Sequence, residues 1–169
     1  MRKNSGFSLG ELITVMGILS VLAALAMPGF VGWRSKAQLS RGAQDVYSQF
    51  QKAKIEAVRR NAQCTITFGA SSFQVYEDRN NNWVFDDGID DEISQVNLAT
   101  YPGVSLDTSQ GGGDGLDFAF PGNGIAFFSN GFPKNSVGAL TPGEVFLRNQ
   151  DNNTVSVEIS KAGNVKITP

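Results

Sequence analysis

Gly6-Phe7-Ser8-Leu9-Gly10-Glu11-Leu12 opens an apolar run that continues to Val31. Between Leu12 and Met27 no charged residue occurs, and leucine, isoleucine, valine, methionine and alanine dominate. The run from Phe7 to Val31 is 25 residues, and a helix needs ~20 to cross a bilayer. One acid, Glu11, stands a few residues inside its leading end. At mid-membrane a carboxylate costs about 2.5–3.5 kcal/mol on insertion scales, so an acid at depth points to function. An acid lying shallow in the interface instead suits a plain signal anchor.

On the N-terminal side stands a short basic leader, Met1-Arg2-Lys3-Asn4-Ser5, which ends in Gly6. Phe7 follows, then the apolar segment, with glutamate at the fifth place after the glycine and Pro28 near the far end. This pattern resembles the class III signal of type IV prepilins and pseudopilins. The resemblance implies cleavage between Gly6 and Phe7 by a membrane-embedded prepilin peptidase, and N-methylation of the new terminal Phe7. It also implies that Glu11 pairs with the N-terminal amine of an adjacent subunit, and that Pro28 bends the helix. A carboxylate in hydrocarbon needs a cation, and a pair that forms only in one axial register turns that need into assembly specificity. An ordinary secretory peptide is cut after its apolar core. Here the cut precedes the core, so the apolar helix stays on the mature chain.

On the C-terminal side the helical pattern continues. Leu39, Ala43, Val46, Phe50, Ala53 and Ala57 recur at spacings of three and four, the mark of one apolar helix face. Arg41, Asp45, Lys52, Glu56 and Arg59 fall off that stripe. The spacing predicts one helix from Phe7 to about Arg60, roughly 80 Å long at ~1.5 Å per residue. Its second half is amphipathic and needs a cover. Pro28, with Gly29 and Gly32, is expected to kink or locally melt it.

From Asn61 onward the sequence reads as β. Cys64–Phe68 and Ser72–Tyr76 alternate across Gly69-Ala70-Ser71, which predicts a hairpin. Further strands are predicted at Glu92–Leu98, Val104–Leu106, Leu116–Phe120, Gly124–Phe128, Glu144–Arg148, Thr154–Ile159 and Asn164–Ile167. The expected fold is α+β, a long kinked N-terminal helix packed on a C-terminal antiparallel sheet that covers the stripe. Ala126–Gly131, Gly143–Leu147 and Val155–Ser160 running into Gly163–Val165 extend the resemblance to the GspH/FimT group of minor pilins and pseudopilins. The organisation so implied is a leader at 1–6, a transmembrane helix at 7–31, an amphipathic helix at 32–60 and a β-rich head at 61–169.

Charge is divided along the chain. From Gly32 to Arg60 seven bases face two acids, a net of +5, and from Asn61 onward five bases face thirteen acids, a net of −8. An acidic head lacks the basic patch that nucleic acid requires. DNA capture through a basic C-terminal region, as in some FimT-like proteins, would rest on Lys161 and Lys166 alone. Histidine is absent and Cys64 is the single cysteine, so an internal disulfide is excluded and nucleophile–base pairs are scarce. Gly111–Gly115 reads as a flexible loop, and a phosphate-binding role is not expected of it, because no helix start follows it as a phosphate loop requires.

The stretch Asp78–Glu92 admits two readings. Oxygen-bearing side chains at Asp78, Asn80 and Asn82 alternate, with Asp86 four residues on, a spacing close to the first half of a calcium loop. Trp83 stands where that loop has glycine and Ile89 where it has glutamate, which leaves Asp87, Asp90 or Glu92 to supply a bidentate ligand. The other reading, preferred here, is an acidic, asparagine-rich turn with no resident cofactor.

The reading as a whole is a structural, non-enzymatic subunit of a type IV pilus or a type II secretion pseudopilus. Its expected partners are other pilin or pseudopilin subunits, the prepilin peptidase and the inner membrane, the N-terminus being cytoplasmic and the assembled polymer periplasmic or extracellular. The alternative is a membrane-tethered module for DNA uptake or adhesion. One feature is discordant: Arg34, Lys36 and Arg41 lie just beyond the apolar run, where a count of basic residues would not choose this topology over its reverse.

Overall fold

The stripe Leu39–Ala57 does meet a β-structure. In the computed structural model, which describes residues 6–118, 123–135 and 137–169, helix α1 runs Leu9–Arg60. Leu39, Ala43, Val46, Phe50, Ala53 and Ala57 are each at most 2% exposed. The chain falls into two compact units, Met1–Arg34 and Ser35–Pro169. In the first, α1 is apolar all round from Leu12 to Val31 and its described residues there are exposed, as Leu12, Leu19 and Leu25 illustrate. This part of the helix is long and apolar enough to cross a membrane. Met1–Ser5, the predicted leader up to Gly6, lies outside the described residues. The helix is one element across Pro28, Gly29 and Gly32.

In the second unit the strands are β1 Cys64–Phe68, β2 Ser72–Glu77, β3 Asp91–Asn97, β4 Ser105–Leu106, β5 Leu116–Phe118, β6 Gly124–Phe127, β7 Pro133–Lys134, β8 Gly143–Arg148, β9 Thr154–Ile159 and β10 Val165–Thr168. The sequence pattern found every strand but β7, with ends displaced by a residue or two; residues 119 and 120 of the predicted fifth strand lie outside the described residues. In place of one sheet there are two, all antiparallel. The first has the order β3-β2-β1-β6-β7; the second has β10-β9-β8-β4, with β5 also paired to β8. Alternation of apolar residues marks which face of a strand is buried and says nothing about its neighbour, which is why the division into two sheets is not visible in the pattern.

Both sheets and α1 meet at an aromatic junction. The Phe50 ring lies 6.0 Å from Phe68 of β1 and 6.5 Å edge-on to Phe118 of β5, while Phe68 and Phe118 stack at 5.4 Å. Ile66, Val75, Ile125 and Phe127 from the first sheet and Val145, Leu147, Val157 and Ile159 from the second complete the core, each fully buried. Two glycines make the close approaches possible. A Cβ at Gly124 would stand 2.6 Å from the Ile66 carbonyl oxygen, and one at Gly143 would stand 2.2 Å from the Phe118 ring.

Two lysines fasten the helix between the sheets. Lys52 Nζ donates to the Ile93 carbonyl in β3 (3.2 Å) and Lys54 Nζ to the Gly163 carbonyl before β10 (2.9 Å). At the helix end Arg60 donates to Glu56 (2.9 Å), to Glu77 of β2 (2.7 Å) and to Asp91 of β3. The hydrogen bonds that Arg59 and Arg60 donate hold the Glu56 carboxyl down at about 2, against the opposing effect of desolvation.

Candidate assembly helix and the acidic loop

The start of α1 is set by Ser8. A helix leaves its first N–H groups without internal partners, and serine at the cap with glutamate three residues on satisfies two of them reciprocally. Here the Glu11 N–H donates to Ser8 Oγ (3.2 Å), while the Ser8 N–H and hydroxyl donate to Glu11 Oε2 (3.4 and 3.5 Å). Ser8 was not singled out in the sequence, although the S-x-x-E spacing before an apolar run was there to be read. Gly6 and Phe7 precede the helix, and Phe7 is 86% exposed. The Gly6–Phe7 peptide bond therefore lies in non-helical, accessible chain, the form in which a peptidase can take a bond. Glu11 is exposed, and among the described residues it has no cationic partner. Deeper in, Thr14 donates to the Gly10 carbonyl (2.9 Å) and Ser20 to the Met16 carbonyl (2.7 Å), so both hydroxyls are satisfied within the helix, as an apolar surrounding demands.

The loop between β2 and β3 is organised by two buried aspartates. Asp78 is 2% exposed and takes four donors: the Asn82 N–H on Oδ1 (3.1 Å), and the Trp83 N–H (3.0 Å), Gln63 Nε2 (2.8 Å) and Thr65 Oγ1 (3.3 Å) on Oδ2. Asp90 accepts from the N–H groups of Arg79 (3.0 Å) and Asp86 (2.8 Å). These bonds hold Asn81 and Trp83 at φ of 55° and 70°, a region that bulky side chains rarely enter. Of the four predicted ligands, Asn80, Asn82 and Asp86 come together: both amide nitrogens donate to Asp86 Oδ2, at 2.7 and 2.6 Å. Asp78 is buried beneath them, with both oxygens already occupied by donors, the Asn82 N–H among them. Glu92 accepts from Gln74 (2.7 Å), and Asp87 is exposed. Among the described residues no three His, Cys, Asp or Glu side chains are grouped to hold a metal.

Cys64 is fully buried, and burial first, then the nearby Glu77 charge, push its thiol up to about 12. It is a neutral core side chain. The basic segment divides: Lys52, Lys54 and Arg60 are spent on the helix–sheet junction, whereas Arg59 pairs with Glu56 on its own helix and, like Arg34, Lys36 and Arg41, is exposed. The three bases of the junction are not available as a phosphate-binding patch, so the observations do not favour the nucleic-acid alternative.

The model of the family described as type II transport protein GspH matches residues 42–163. The pilin-like protein PilA1 of Thermus thermophilus is 30% identical over 123 residues, covering 71% of this chain and 78% of that one. Among solved structures, the type IV minor pilin FimU of Pseudomonas aeruginosa superposes with a TM-score of 0.55 at 15% identity, over 81% of this chain and 92% of FimU. The minor pseudopilin EpsH from the type 2 secretion system of Vibrio cholerae gives 0.53 at 14% identity, over 78% and 96%. The last two establish likeness of fold.

Proposed function

Because the chain belongs to the GspH family, we propose that it works as a structural subunit, held in a membrane by α1 and built through that helix into a type IV pilus or a type II secretion pseudopilus. The observation that carries this reading is the contrast within α1. In its second half Leu39, Ala43, Val46, Phe50, Ala53 and Ala57 are buried in the core of the head, while the described residues of the apolar stretch Leu9–Val31 are exposed. Helices of this kind find their cover in lipid or in other helices.

In the proposed sequence of events the leader 1–6 is removed between Gly6 and Phe7 by a prepilin peptidase on the cytoplasmic face of the inner membrane, and Phe7 is methylated. The helix 7–31 then holds the subunit, with 32–60 and the head 61–169 on the far side. On assembly the Glu11 carboxylate exchanges its contacts with Ser8 for the Phe7 amine of a neighbour, and Pro28 bends the helix to seat it among others. Its partners are other pilin or pseudopilin subunits, and a minor position in the polymer suits the long, varied loops of the head. No catalytic step is assigned to this chain.

Mass spectrometry of the membrane-extracted protein tests the first step: the mature chain is expected to begin at a methylated Phe7, and a chain beginning at Met1 would refute it. Glu11→Ala tests the second. It is expected to be cut normally and to lose assembly, whereas polymer yield equal to the parent's would sink the pairing.

A further inference from the structure

We propose that Phe30, Trp33 and Arg34 form a docking surface for the anionic headgroups of a phospholipid leaflet, which sets the depth of α1 and places Glu11 at the opposite interface. This rests on the reading of α1 as a membrane-spanning helix. The Phe30 and Trp33 rings are 62% and 66% exposed, with centroids 6.0 Å apart. Arg34 follows Phe30 by four residues, so all three side chains share one side of the helix. Trp prefers headgroup depth because its ring is apolar and its N–H polar. Arg34 is exposed, and no ion pair with it occurs among the described residues.

Charge complementarity selects the occupant. Between Glu11 and Asp45 the sequence holds no acid, and its bases are Arg34, Lys36 and Arg41. A stretch of one sign directly after an apolar span matches a leaflet of the other sign. It also accounts for bases on the side of the membrane where they are ordinarily avoided, because headgroup phosphates supply the counter-charge. Depth follows from the spacing. A hydrocarbon layer of ~30 Å takes about 20 helical residues. Counted back from Phe30, it ends near Gly10. Glu11 then lies at the border of the bilayer, where its charge costs little until the helix moves.

The test uses the full chain reconstituted in phosphatidylcholine vesicles doped with brominated phosphatidylglycerol or brominated phosphatidylcholine. Trp33 quenching is read after subtracting the signal of a Trp33→Phe variant, which retains Trp83. Quenching is expected at about five-fold lower mole fraction of the anionic lipid, the equivalent of about 1 kcal/mol per base at an anionic surface. Bromines near the headgroup are expected to quench more strongly than bromines near the chain end. Arg34→Lys keeps the preference, and Arg34→Gln reduces it, Lys36 and Arg41 retaining the remainder. Equal quenching by both lipids in the parent, or an unreduced preference in Arg34→Gln, overturns the docking surface and leaves the span standing. Stronger quenching by bromines near the chain end overturns the depth. No quenching by either lipid would instead refute the span itself.

Discussion

Phe50→Ala is the perturbation that tests whether the helix and both sheets share one core. The ring is 0% exposed and touches Phe68 of the first sheet and Phe118 of the second. Truncating a buried phenylalanine costs about 3–5 kcal/mol, the lost transfer energy plus the cavity left behind. Flanking residues come from three elements fastened by Lys52, Lys54 and Arg60, so collapse around the void is restricted and the upper part of that range is expected. For a domain of this size that is a fall in melting temperature of roughly 10–15 °C. The control is Ile55→Ala on the same helix. Ile55 is 60% exposed, so the change is expected to fall within about 0.5 kcal/mol of the parent. Urea unfolding of the detergent-solubilised chain, followed by near-UV circular dichroism, measures both. If the two substitutions cost the same, Phe50 does not face the sheets and the architecture argued from the stripe is wrong.

Three further outcomes are expected. Native protein at pH 8 leaves Cys64 unmodified by an aromatic disulfide reagent, because its thiol is pushed up to about 12, and denaturant releases full reaction; rapid native reaction contradicts the burial. Glu56 is held down at about 2 by Arg59 first and Arg60 second, and Asp91 is lowered chiefly by Arg60. Folded values below the unfolded ones mean stability that is complete above about pH 5 and lost as pH falls toward about 2. Arg60→Met is therefore expected to make the acid branch of the stability curve shallower, with Arg59 preserving part of it; an unchanged slope counts against the network. For the Asp78–Asp90 loop, a chelator is expected to leave the melting temperature unchanged, and several degrees of stabilisation by millimolar calcium would restore the calcium reading of Asp78, Asn80, Asn82 and Asp86.

What the sequence made legible follows from what periodicity encodes. Spacings of three and four identified six of the seven buried residues from Leu39 to Ala57, all but Gly42, since one helical face is a local property. Strand alternation located β1, β8 and β9 for the same reason. It could not place β6 against β1, because that pairing depends on Gly124 allowing its strand up to the Ile66 carbonyl. Strand β7 escaped notice because it is two residues long and begins with proline, which carries no alternation. In the acidic loop the spacing of oxygens was legible and their direction was not. Asp78 turns inward to hold Gln63, Thr65 and two backbone N–H groups, and a ligand pattern read from spacing cannot distinguish that from a cation site.

Two separate parts of the chain carry its assignment, and they share no residues. The stretch that resembles a prepilin signal, with its apolar run, occupies Gly6–Val31, while the family model begins at residue 42. An apolar N-terminal helix alone would fit any signal anchor, and a helix on two sheets alone would fit many small domains. Their physical requirements differ as well. The head needs its strands to bury Leu39–Ala57, a demand met inside one chain. The leading helix satisfies its hydroxyls and its cap within itself but finds no apolar cover: its described residues from Leu9 to Val31 are exposed, and Glu11 has only Ser8 to satisfy it among the described residues. A polymer subunit is the arrangement in which both are true together, because it must be stable as a monomer at one end and incomplete at the other. Transplanting the head to an unrelated membrane anchor would therefore be expected to preserve its stability and abolish assembly.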